Sequence, residues 1–265
     1  MSWRSVARQG GEAIGQGWRI ALHGRWAKSR YLLLALLFAV GLELIFALQR
    51  WVYVVAAAVV AVVAIGVVLI RLEEGGSFRI IHSILPLLAC AGMSGFAFLL
   101  PTTAVLHAYI AGAGTFFFLL LKYGARPAYP LWNWLMSLAV YFFTVAFILG
   151  LRFHLDLPVL PLLLAVGTVT VLITGQALGR ITRRPGDSLV PVLGITLALT
   201  EVTWILQWLP LHYLVQASVV SALYYVMFNL MSRQLLGGID RRDIIEYVGI
   251  GAVALLLVLM SAQWI

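Results

Sequence analysis

The chain has 265 residues, of which 63% are hydrophobic and only 11% charged. A soluble domain averages about 25% charged residues, and a mean hydropathy of +1.01 excludes a soluble globular enzyme, a disordered chain and a secreted disulfide scaffold. A formal net charge of +8 would suggest nucleic acid in a soluble protein; in so apolar a chain it is first a signal of membrane topology.

A helix that crosses a bilayer needs about 20 mostly apolar residues, because each adds about 1.5 Å across a hydrocarbon core about 30 Å thick. Residues 1–30 come first and are basic. Ile14, Trp18, Leu22 and Trp26 recur every four residues with Arg19, Arg25, Lys28 and Arg30 between them. This spacing predicts an amphipathic helix on the anionic inner leaflet, with those four cations as lipid contacts; the bland alternative is a basic tail that only sets topology. No small-residue cleavage pattern follows the first apolar run, so that run is expected to be a retained helix.

Nine apolar segments then follow in residues 31–265, read as one transmembrane domain: Tyr31–Leu48, Trp51–Ile70, Ile80–Leu100, Thr102–Leu121, Leu131–Leu151, Leu157–Gly179, Ser188–Leu209, Leu211–Ser232 and Ile244–Ile265. Gln49-Arg50, Pro101 and Pro210 must be tight turns, since an unbroken run of about 40 residues is twice one crossing. The predicted fold is an all-α polytopic bundle of nine spanning helices, with the N-terminus cytoplasmic and the C-terminus outside. In that orientation 16 of the 18 Lys and Arg residues are inside, and only Arg50 and Arg152 are outside. The positive-inside rule favours this arrangement. The basic excess is thereby explained by insertion, and no nucleic-acid partner is expected. Trp51, Trp204, Trp208 and Tyr213 near one boundary, with Tyr123, Trp132 and Trp134 near the other, fit interfacial belts. No loop is long enough for a folded soluble domain.

Charged groups at membrane depth are costly and usually face a bundle interior or a cavity. Glu43 shares a face with Ala35, Ala39 and Ala47, a small-residue stripe that lets another helix approach. Glu201 follows Gly194 and Ala198 on a similar stripe. His107 lies near the outer end of the fourth helix, so all three groups sit roughly 8–12 Å below the outer boundary. Their shared depth permits a cluster. Matching depth across the turn at Pro210 predicts that Glu201 faces a polar stripe of the eighth helix, Ser218, Ser221, Tyr225 and Asn229, with Gln216 nearby. The alternative for each acid is a protonated carboxyl acting as structural glue between helices; for His107 it is a satisfied structural histidine.

Other signals are sparse. Cys90 is the only cysteine, which excludes an intramolecular disulfide and a cysteine-based metal site. There is no zinc-spaced His/Glu pair, nucleophile elbow, phosphate loop or dinucleotide fingerprint, and no catalytic residue or cofactor is assigned. Asp243-x-x-Glu246 reads as a helix start with its reciprocal partner. Gly175-x-x-x-Gly179 reads as a packing signal on the sixth helix.

Glu201-x-x-Trp204, Trp208-Leu209-Pro210, Tyr224-Tyr225-Val226, Glu246-Tyr247 and the ending Leu255 to Trp264 together resemble an uncharacterised family of multi-pass membrane proteins, found largely in candidate-phyla bacteria. The resemblance covers about residues 195–265 and implies a bacterial plasma (inner) membrane with no established enzyme activity. The leading functional expectation is a membrane-embedded scaffold or partner subunit of the cell envelope, in contact with the bilayer and with other membrane proteins. A transporter or lipid-handling carrier built on Glu43, His107 and Glu201 is the alternative. An intramembrane enzyme acting on a lipid-linked substrate is the third.

Overall fold

A computed structural model describes residues 29–48, 51–73, 81–100, 103–124, 130–179, 181–182 and 185–261. The amphipathic stretch carrying Arg19, Arg25 and Lys28 lies outside them. Among the described residues the regular structure is helical throughout, and nine α-helices occupy the nine apolar segments: α1 (Ser29–Ala47), α2 (Val52–Glu73), α3 (Ile81–Ala97), α4 (Thr103–Tyr123), α5 (Pro130–Leu155), α6 (Val159–Leu178), α7 (Leu189–Leu206), α8 (Tyr213–Leu236) and α9 (Arg241–Ser261). Seven are long and apolar enough to cross a membrane; in α2 and α3 the apolar stretches, Val54–Ile70 and Ser83–Ala97, are shorter. The chain is a multi-pass integral membrane protein.

Neighbour pairs give the helix directions. On α1 and α2, Gly41 faces Val59 and Leu34 faces Gly66, which is antiparallel. α3 and α5 run parallel: Gly92 meets Thr144, Gly95 meets Phe147 and Leu99 meets Gly150, a nearly constant offset. Parallel contact requires a helix between them that returns the chain to its starting side, and α4 does so.

Apolar side chains gain little from one another in lipid, so helices associate through close packing and hydrogen bonds. α5 lies at the centre and packs on α3, α6 and α8. Gly92 shows how tight the α3 contact is. A Cβ placed there would lie 2.8 Å from the Thr144 Cα, closer than any real side chain tolerates. One turn earlier on α5, the buried Tyr141 ring stacks on Tyr224 of α8 at 4.2 Å, and its hydroxyl bonds Thr170 Oγ1 of α6 at 3.0 Å. Three helices are thus fixed around one tyrosine. Between α3, α4 and α5 the aromatic cluster of Phe96, Tyr109, Phe142 and Phe143 fills the space, and the Tyr109 hydroxyl donates to Met93 O at 2.9 Å.

Two local expectations are corrected. The residues that bring helices together do not include the Gly175-x-x-x-Gly179 pair: a Cβ on Gly175 would meet open space, and Gly179 only ends α6. The start of α9 is one turn earlier than the sequence suggested. Gly237 (φ 142) and Gly238 (φ 125) adopt backbone conformations that side-chain-bearing residues avoid and so end α8 sharply. The chain re-enters a helix at Arg241, where Asp243 Oδ2 accepts from the Asp240 backbone N–H at 3.4 Å. The side-chain contact at this helix start is therefore between Asp240 and Asp243, not Asp243 and Glu246.

Candidate functional site

α1 and α4 approach because both carry small residues where they cross. A Cβ on Gly114 would sit 3.0 Å from the Ala39 Cβ, and one turn further in the Phe38 and Phe117 rings touch at 4.7 Å. Antiparallel register then brings Glu43 opposite His107. His107 Nδ1–H donates to Glu43 Oε1 at 2.9 Å. Both side chains are about half exposed, so the pair lies at the edge of the bundle, where it is open to lipid or to a partner and is not sealed in the core. A histidine and a carboxylate in direct contact can exchange a proton. Among the described residues no group of three or more His, Cys, Asp and Glu could hold a metal ion.

Glu201 is placed elsewhere. The face of α7 that packs inward carries Val192, Ile195, Leu199, Thr203 and Leu206. Glu201 is two residues from both Leu199 and Thr203, a rotation of about 200° at 3.6 residues per turn. It therefore points away from the bundle, beside Leu197, Trp204 and Ile205, all exposed. Gly194 on the same side has no neighbour within 4 Å. Among the described residues no hydrogen bond or ion pair engages the Glu201 carboxylate. Glu43 and His107 meet; Glu201 does not join them.

The α8 stripe does not face Glu201 either. Ser218 Oγ donates to its own helix at Leu214 O, and Asn229 Nδ2 to Tyr225 O. The Tyr225 ring packs on Trp134 of α5 and Tyr247 of α9, and Ser221 is buried. Only Gln216 reaches α7, and it does so at the end of that helix: Gln207 Nε2 donates to Gln216 Oε1 at 2.9 Å, while Gln216 Nε2 donates to Leu211 O at 2.9 Å. Serine and asparagine on a membrane helix can satisfy themselves on the preceding turn, so a polar stripe need not have a partner. Of the N-terminal cations, only Arg30 lies among the described residues, exposed at the start of α1.

The sequence reading missed a pocket. The turns α5–α6 and α7–α8 meet at one end of the bundle and line an open cavity of about 580 Å³. Arg152, Asp156, Gln207 and Gln216 supply its polar lining, and Phe153 and Tyr213 stand in its wall. His154 and His212 flank that wall: the His212 ring lies tilted against Tyr213 at 4.2 Å, and His154 contacts it edge-on at 5.7 Å. Partial burial holds the His212 pKa below its usual value, and the nearby His154 adds to the effect. The signal was present in the sequence, because Arg152 is one of only two cations that the positive-inside rule does not explain. No family model, curated protein or solved structure matches the chain.

Proposed function

We propose that this protein is a partner subunit of a membrane assembly, held in a bacterial plasma membrane by nine crossings with its N-terminus in the cytoplasm. One observation carries the reading. The Glu201 carboxylate stands on an outward face of α7 that is otherwise apolar, flanked by Leu197, Trp204 and Ile205. A carboxylate facing hydrocarbon is costly, and a helix that brings a cation to it removes that cost. Gly194 leaves room for close approach on the same side. α9 has a similar character, since Gly251 is its only fully buried residue. The occupant proposed for the α7 face is a transmembrane helix with a basic side chain at the depth of Glu201.

The test is photo-crosslinking in native membranes from a reactive residue placed at Leu197 or Ile205. A discrete protein adduct is expected, lost in Glu201→Leu and restored when Glu201→Lys is combined with an acidic replacement of the partner's basic residue. Crosslinks to lipid alone, unchanged by Glu201→Leu, would overturn the proposal.

The carrier reading draws on the Glu43–His107 contact. It needs proton exchange at two groups, because Glu201 lies on a different face. Its discriminating test is proton uptake by proteoliposomes, which Glu43→Gln would abolish.

A further inference from the structure

We propose that the cavity between the α5–α6 and α7–α8 turns is a binding site for a zwitterionic group, an ammonium joined by a short spacer to a phosphate or carboxylate. It is independent of the α7 docking face. The argument begins with two opposite charges that line one pocket without pairing. Arg152, in the last turn of α5, spends one of its five N–H donors on Leu157 O across the turn, at 3.0 Å. That bond holds the guanidinium in place and leaves most of its fork free. Asp156 follows at the end of the helix, where a left-handed backbone (φ 49) turns the chain. Among the described residues its side chain makes no hydrogen bond or ion pair, with Arg152 or with any other group.

The other lining groups narrow the ligand. The Gln216 amide is committed on both sides, to Gln207 and to Leu211 O. Gln207 gives its N–H groups to Thr203 O and Gln216, which leaves its carbonyl oxygen as an acceptor. The site therefore offers a rigid donor fork at one point, and a carboxylate with an amide oxygen at another. A simple anion would meet Asp156, and a simple cation would meet Arg152. A group with both charges satisfies each. Guanidinium forks bind phosphate and carboxylate in two-point fashion. Asp156 and Gln207 Oε1 favour an ammonium that still carries N–H donors. The remaining walls, Leu157, Pro158, Leu209 and Pro210, are apolar and suit the glycerol and first methylenes of a lipid. The volume, about 580 Å³, falls within the ordinary range of ligand pockets, roughly 300–1,000 Å³.

The test uses the full-length protein in phosphatidylcholine nanodiscs, titrated with phosphatidylethanolamine, with phosphatidylglycerol and with free phosphoethanolamine, and read by native mass spectrometry. The proposal expects phosphatidylethanolamine to bind several-fold more tightly than phosphatidylglycerol, which lacks the ammonium. Arg152→Gln should weaken it by roughly tenfold, the effect of losing a charge-assisted fork. Asp156→Asn should instead abolish the preference of one lipid over the other while leaving the helix end intact, because Asn tolerates the same left-handed backbone. Equal binding of lipid and free phosphoethanolamine would assign the site to a soluble zwitterion; tighter lipid binding would assign it to a membrane headgroup. Both results support the proposal. No preference among the lipids in the wild type, or a preference untouched by Arg152→Gln and Asp156→Asn in monodisperse protein, would overturn it.

Discussion

Glu43 and Glu201 stand at similar distances from the ends of α1 and α7, yet their surroundings differ. Glu43 lies on the face of α1 that α4 covers, and His107 Nδ1 meets it at 2.9 Å. Glu201 lies on the face of α7 that none of the described residues covers, opposite the buried line from Val192 to Leu206. Both acids follow small residues at helical spacing. The small residues of α1 receive Gly114, whereas Gly194 on α7 receives nothing within 4 Å. A stripe of small residues is permission for a helix to approach, and whether one comes depends on the rest of the fold. The first acid contributes to holding this chain together, and the second stands on an outward face without a bond among the described residues.

The largest effect is expected from forcing α1 and α4 apart. Gly114→Leu would drive a side chain into Ala39, and overpacking of this kind costs about 1–3 kcal/mol. The thermal midpoint of the purified protein should fall, and the Glu43–His107 contact should be lost with it. The same substitution at Gly194 should leave the midpoint nearly unchanged, since that Cβ points to open space. Equal losses at both positions would mean that the α7 face is covered.

The acids themselves give the next contrast. Glu43→Leu should destabilise the protein by about 1 kcal/mol, the usual scale of a polar contact between membrane helices, because His107 is left without its acceptor. Glu201→Leu should cost nothing in the isolated protein, since no bond is lost. A double-substitution cycle of Glu43→Gln and His107→Asn should show a coupling of roughly 0.5–2 kcal/mol. Pairing Glu201→Gln with His107→Asn should show none.

The helices were legible from hydropathy because their length is set by the bilayer, and all nine segments are helical where described. The Glu43–His107 contact was half legible: depth follows from counting residues inward from a turn, but adjacency of α1 and α4 does not. Direction around the helix axis was where the reading failed for Glu201. Both sides of a membrane helix are apolar, so hydropathy does not distinguish the side facing lipid from the side facing protein. The buried line of α7 is Val, Ile, Leu and Thr, and its outward face is made of much the same residues. The reading of α8 failed for a related reason, since Ser218 and Asn229 bond their own backbone and a stripe of polar letters resembles an interface. The pocket beside Arg152 depends on two turns far apart in sequence, and only a cation that the expected orientation leaves outside marked it.

The smallest effect separates the two ends of the comparison by their histidines. His107 meets a carboxylate at the edge of the bundle, whereas His212 stands in the α7–α8 turn, where its Nδ1 accepts from the Leu214 backbone N–H at 3.3 Å and caps α8. Only an unprotonated Nδ1 can accept that bond. Burial and His154 hold the His212 pKa below its ordinary value of 6.5, so the folded state takes up its proton later than the unfolded state as pH falls. The neutral ring therefore contributes fully above pH 6.5, and the contribution is lost as pH drops through the folded value. His212→Asn keeps a capping acceptor without a proton to gain. Thermal midpoints measured from about pH 7.5 down to about pH 5 should converge at the upper end, and the wild type should fall faster than His212→Asn at the lower end. The difference is bounded by the value of one helix cap, roughly 1 kcal/mol. Parallel curves would mean that the cap at His212 is not what acid removes.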